Sequence, residues 1–138
     1  MDQEPLVNES IAAGADYIAR FDQYAPVKAA FWLKRSDAGG WALYLASDAI
    51  DDSNRGKSYG EVLRLTQAAP TPYLDPFQIK LISGDHPLAS AVLAVQRRYP
   101  GNLATRYGGS NLGGVGIDGA YLYPLSVVPN APAVPAAP

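Results

Sequence analysis

The segment from Val27 to Arg35 constrains the fold most, because its apolar side chains recur at every second position. The two alternating sets are Val27, Ala29, Phe31, Leu33 and Lys28, Ala30, Trp32, Lys34. A period of two is typical of a β-strand with one face in the core. Residues 36–40 are turn formers and residues 41–47 are again strand-like, so the sequence predicts an antiparallel hairpin.

Apolar residues at helical spacing predict three helices, within residues 8–24, 58–69 and 86–99. A third strand is predicted where Phe77, Ile79 and Leu81 alternate with polar residues. Asp118-Gly119 predicts a two-residue turn between two final short strands. The order is helix, strand, strand, helix, strand, helix, strand, strand. We therefore predict a single α+β domain, with a mixed or antiparallel sheet of about five strands and three helices packed mainly on one face.

The length of 138 residues suits one domain, which we assign to residues 1–128. Residues 129–138 contain four prolines and are predicted to form a flexible Pro/Ala-rich tail of polyproline-like geometry. A ligand for an aromatic groove is the alternative interpretation of this tail.

Composition excludes several function classes. The chain has no cysteine and one histidine, which excludes thiol catalysis, cysteine-based metal sites and two-histidine motifs. No cofactor and no metal are predicted. The formal charge of −2 disfavours nucleic acid as a partner. The acidic N-terminus and the lack of about 18 consecutive apolar residues predict a cytoplasmic protein without a membrane partner.

The stretch from Gly108 to Gly119 is the most unusual feature of the sequence. Its G-x-G-x-x-G spacing does not indicate a dinucleotide site, because a strand-like segment follows where that motif needs a helix. Glycine amides can still cradle an anion beside a guanidinium. The predicted ligand contacts are Arg106, Gly108, Gly109, Ser110, Asn111 and His86. A hairpin loop without ligand is the alternative, and composition favours it.

His86 is the one residue with an ordinary pKa near neutrality, so it is the natural general base. Its position before Pro87 more strongly indicates a helix cap. The carboxylates of Asp48, Asp51 and Asp52 follow the second strand and are of the type that binds Mg²⁺ in nucleases. Acidic residues in a polar loop are more often simply solvated, and no catalytic residue is assigned.

Nine tyrosines and two tryptophans suit a binding surface, because these side chains combine large contact area with a polar tip. Trp32, Tyr121 and Tyr123 are the predicted interaction surface. The alternative for Trp32 is that a helix covers its face of the sheet.

Two hypotheses for function follow. We favour a non-catalytic binding or protein-interaction module, acting on a protein partner or through self-association. The alternative is a small enzyme or ligand-binding domain for a phosphate- or carboxylate-bearing substrate, using Arg106 and the Gly108–Gly119 loop.

Overall fold

The structure is a computed structural model that describes residues 6–36, 40–98, 105–107 (backbone) and 111–124. Its helices are α1 (Asn8–Phe21), α2 (Arg55–Ala68) and α3 (Pro87–Arg98), with a 3-10 turn at Pro76–Gln78. Its strands are β1 (Ala29–Arg35), β2 (Trp41–Ser47), β3 (Ile79–Ser83), β4 (Thr105–Tyr107), β5 (Asn111–Leu112) and β6 (Val115–Leu122).

The strands form one mixed sheet in the order β3-β2-β1-β6-β4, and the short β5 pairs with β6. β2 and β3 are parallel, whereas the other pairs are antiparallel. The predicted β1–β2 hairpin is present, with Phe31 opposite Tyr44 and Trp32 opposite Leu43. The α+β class, the single domain, the three helices and the mixed sheet are therefore confirmed.

Helices lie on both faces of the sheet, two on one side and one on the other. α1 and α2 cover the side of Trp32, Leu43 and Leu45, which we name the α1/α2 face. α3 covers part of the side of Phe31, Leu33 and Tyr44, named the α3 face. Five strands about 4.8 Å apart span about 19 Å, and packed helices lie about 10 Å apart. Two helices can cover such a face, and one cannot.

The α1/α2 face is closed by a buried hydrogen-bonded bridge. The Trp32 indole donates to the Tyr123 hydroxyl at 2.8 Å, and that hydroxyl donates to the Ile11 carbonyl of α1 at 2.7 Å. Gly14 lies at the same contact, where a Cβ atom would come within 2.2 Å of the Tyr123 hydroxyl oxygen. A glycine is therefore needed for α1 to approach the sheet this closely.

The α3 face is closed mainly near the first turn of α3. The His86 Nδ1 accepts a hydrogen bond from the Leu88 amide at 3.0 Å and so caps the helix, as its place before Pro87 indicated. Leu88, Val92 and Leu93 pack on the sheet beside the stacked rings of Phe31 and Tyr44, whose centroids are 5.4 Å apart.

The final hairpin differs from its prediction. Asp118 and Gly119 lie inside β6, at a bulge opposite Lys34 and Arg35, and the predicted turn there is wrong. The turn between β5 and β6 is made by Gly113 and Gly114, with φ of +60° and +83°. Two consecutive residues with positive φ match the twist of a two-residue hairpin, and glycine adopts that conformation without strain.

Two predictions concern residues outside the described part of the chain. They are the Pro/Ala-rich tail at 129–138 and the glycine and serine contacts at Gly108, Gly109 and Ser110. Within the described residues, no helix is long and apolar enough to cross a membrane.

Candidate binding groove

A groove of about 720 Å³ opens on the α3 face, at the end where the β1–β2 hairpin turns. It lies over the part of the sheet that the single helix α3 leaves uncovered. Its lining residues are Leu33, Arg35, Gly40, Trp41, Ala42, Tyr44, Asp75, Phe77, Gln78 and Lys80. The volume is within the range of about 300–1,000 Å³ typical of ligand sites.

One wall of the groove is the 3-10 turn Pro76–Gln78, which is held by a capping box. The Asp75 carboxylate accepts from the Phe77 amide at 2.8 Å, and the Gln78 side chain accepts from the Asp75 amide at 2.8 Å. The Gln78 side chain also donates to the Trp41 carbonyl at 3.3 Å, which joins the turn to β2. The backbone that carries Phe77 is therefore fixed before any partner arrives.

Phe77 is 83% exposed, the largest exposure among the large apolar side chains of the described residues. The alternation with Ile79 and Leu81 predicted that Phe77 belongs to a strand and shares their buried face; this is wrong. β3 begins at Ile79, because the capping box curls the preceding residues out of the sheet. Asp75-Pro76-x-Gln78 carries the signal for this turn, with a cap, a first-turn proline and the third-position amide.

Three of the described residues that line the groove are charged. Arg35 and Lys80 are cationic and Asp75 is anionic, and Arg35 already has an interaction within the chain. The Asp75 carboxylate already accepts the Phe77 amide. Lys80 is exposed beside Tyr44, and its side chain makes no ion pair or hydrogen bond within the described residues. Lys80 is therefore available to an anionic group on a partner.

The neighbouring edge of the sheet is partly blocked. β3 is an edge strand, and such strands add further strands through free backbone groups. The Leu81 amide in its middle donates to the Tyr59 hydroxyl of α2 at 2.9 Å. We therefore expect a partner to bind through side-chain contacts in the groove rather than by adding a strand to β3.

The predicted aromatic surface is located mostly in the core. Trp32 and Tyr123 are fully buried beneath α1, so they cannot form an exposed surface, and the helix-covered alternative for Trp32 is correct. Tyr121 is partly buried and packs edge-on against Tyr123, with ring centroids 5.2 Å apart. The burial of Trp32 follows because β1 is the central strand and α1 and α2 cover this side of it.

Of the predicted anion contacts, the structure describes the side chains of His86 and Asn111 and the backbone of Arg106. The Nδ1 of His86 is used by the Leu88 amide, and the Asn111 side chain accepts from the Gly114 amide at 3.2 Å. Arg106 pairs through its backbone with Tyr121 of β6. Gly113 lies against the start of α3, because a Cβ there would come within 2.9 Å of the Pro87 carbonyl oxygen.

The three carboxylates after β2 also have separate partners. Asp48 pairs with Lys28 at 3.4 Å, and Asp52 pairs with Arg55. Hydrogen bonds from the Ser53 hydroxyl and amide lower the pKa of the Asp51 carboxyl. In the described part of the chain, no group of three or more acidic or histidine side chains is arranged to hold a metal ion.

Comparisons with protein-family models, with curated proteins and with solved structures found no match for this chain. Its function is therefore inferred from the geometry of the groove.

Proposed function

We propose that this protein is a non-catalytic interaction module that binds a short segment of another protein in the groove on its α3 face. The observation that carries the proposal is Phe77, a large apolar side chain held 83% exposed on a fixed turn. Exposed aromatic side chains beside a concave apolar surface are typical of binding sites, since burying them on a partner releases hydration water.

The shape of the groove favours a segment with an apolar anchor. Leu33, Ala42 and Tyr44 face the α3 side of the sheet and line the groove together with the exposed Phe77. An apolar side chain inserted between them gains about 25 cal/mol for each Å² of apolar surface removed from water. Because the wall is already braced by Asp75 and Gln78, little entropy is lost in ordering the groove itself.

Charge favours a different protein over a second copy of this chain as the occupant. In a two-fold dimer through this groove, each patch would face an identical patch. The Lys80 ammonium group would then face a patch that carries the same ammonium group, and the described carboxylate there, that of Asp75, already caps a turn. A partner with negative charge complements the groove, whereas a second copy does not.

The test is selection of short random peptides displayed on phage against the intact protein. Selected peptides are then labelled and titrated with the protein, and the anisotropy of the label is the readout. We expect Phe77→Ala to weaken binding by at least about tenfold, as for a central anchor. The matched control is Leu63→Ala, which removes a 46% exposed apolar side chain from α2 on the opposite side and should leave binding unchanged.

Three outcomes would overturn the proposal. One is that no peptide is enriched, and another is that Phe77→Ala and Leu63→Ala behave alike. The third is occupation by something else: a dimer in light scattering that Phe77→Ala dissociates, or Phe77-dependent binding to vesicles of anionic lipid. Either result would assign the groove to a second copy or to a membrane surface.

We place nucleic acid outside the proposal because of the formal charge of −2. We propose the cytoplasm as the location, which fits a chain without cysteine.

A further inference from the structure

We infer that Lys80 makes the groove selective for segments that carry an aspartate or glutamate close to their apolar anchor. This inference rests on the proposed function and specifies the chemistry of the partner. It depends on the placement of Lys80 beside Tyr44 in the lining of the groove and three residues after Phe77. A peptide whose apolar side chain packs on Phe77 brings its neighbouring side chains within reach of the Lys80 ammonium group.

The partners of the other charged groups single out Lys80. Arg35 already has an interaction within the chain, and the Asp75 carboxylate accepts from the Phe77 amide at 2.8 Å and forms no ion pair with Lys80. By contrast, Lys28, just before β1, has Asp48 at 3.4 Å. The Lys80 side chain makes no ion pair or hydrogen bond within the described residues, and an ammonium group partly desolvated by a bound peptide gains from a carboxylate contact.

A requirement for an acidic residue beside the apolar anchor also distinguishes this specificity from non-specific hydrophobic binding. An apolar groove alone would accept any hydrophobic segment. With Lys80 in its lining, a segment with a lysine or arginine near the anchor is repelled, and one with a neutral residue lacks the ion pair. The groove would then choose among hydrophobic partners by the sign of one nearby charge.

The experiment compares a selected peptide with two versions of itself, in which its acidic residue is replaced by the corresponding amide or by lysine. Each is titrated against the wild type, Lys80→Gln and Lys80→Glu. The control is Lys57→Gln, which removes an exposed lysine from α2 on the other side of the sheet. All these side chains are exposed, so the variants should fold.

We expect Lys80→Gln to weaken the acidic peptide about twofold to fivefold, the range of an exposed ion pair. The same substitution should leave the amide version unchanged. Lys80→Glu should invert the preference for acidic peptides. The lysine version of the peptide should bind this variant more tightly than the acidic peptide binds it. The preference should shrink as salt is added, because screening weakens exposed charge pairs.

The outcomes separate this inference from the proposed function. If peptides bind and Phe77→Ala abolishes binding, but the acidic and amide versions are equivalent, the selectivity is overturned and the interaction module stands. The selectivity is likewise overturned, and the module retained, if the selected peptides contain no acidic residue. If Phe77→Ala has no effect on any peptide, the proposed function fails, and the inference fails with it.

Discussion

On the α1/α2 face two helices bury Trp32 completely and join it through Tyr123 to α1, whereas on the α3 face one helix leaves Phe77 83% exposed. The same sheet therefore has a sealed side, the α1/α2 face, and a half-open side, the α3 face. The difference comes from helix number, since a sheet about 19 Å wide needs two helices on each face. Binding capacity is expected on the half-open side, and most of the stabilisation on the sealed side.

The largest expected effect is on the sealed side. Trp32→Ala should lower the free energy of unfolding by about 3–5 kcal/mol, because it removes a fully buried aromatic ring and leaves the Tyr123 hydroxyl without its donor. Urea unfolding followed by circular dichroism measures the loss. Trp41→Ala is the control, since Trp41 packs on the same core but is only partly buried, and it should cost less. Equal losses would mean that the complete burial of Trp32 adds nothing to stability.

The next effect separates two helical glycines. Gly14→Ala should destabilise the protein by about 1–3 kcal/mol, because the new methyl group overlaps the Tyr123 hydroxyl, which two hydrogen bonds hold in place. Gly60→Ala in α2 meets open space and should stabilise by about 0.5–1 kcal/mol, through helix propensity alone. Thermal unfolding of both variants gives the comparison.

A double variant tests the cause of the Gly14 effect. Tyr123→Phe removes the hydroxyl oxygen that the methyl group would strike, so Gly14→Ala should cost less in that background. Additive losses would mean that the close approach of α1 is not the source of the strain.

The sequence predicts the parts of this contrast that local patterns control. Alternation located β1 and the β1–β2 hairpin, and helical spacing located α3 with His86 as its cap. These features depend on neighbours within a few residues. The choice of which helix covers which face depends on contacts far apart in the chain, such as Tyr123 with Ile11, and no local pattern encodes it.

The groove was missed for a related reason. A strand-like alternation placed Phe77 in the core, although the preceding Asp75-Pro76 and the following Gln78 form a capping box that turns it outward. Asp118-Gly119 was misleading in the same way. A bulge also accepts a glycine, and at Gly119 a Cβ would come within 3.1 Å of the Trp41 ring. Turn residues mark a departure from regular strand geometry without specifying which one.

The sealed side should also make stability sensitive to alkali. Burial raises the pKa of Tyr123 and of Tyr17, and the charge of Glu61 adds to the rise for Tyr17. Well below about pH 10 both hydroxyls are protonated in the folded and unfolded states, so these two groups add no pH dependence to stability there. Above it the unfolded chain ionises first, so the free energy of unfolding should fall as pH rises.

Urea midpoints at increasing pH measure this dependence. The double variant Tyr17→Phe/Tyr123→Phe should lose stability less steeply above about pH 10 than the wild type does. An unchanged slope would show that other groups cause the alkaline loss, and that the sealed side has no particular part in it.

The smallest effect on stability is expected on the half-open side. It tests directly whether Phe77 serves folding or binding. Phe77→Ala should change the free energy of unfolding by less than about 0.5 kcal/mol, because the ring makes little contact with the rest of the fold. Phe31→Ala, on the same face but under α3 and stacked on Tyr44, should cost about 3–5 kcal/mol. A large loss for Phe77→Ala would mean that the ring supports the fold and is not held out for a partner. A negligible loss, together with impaired peptide binding, would mean that this phenylalanine contributes to recognition and hardly at all to folding.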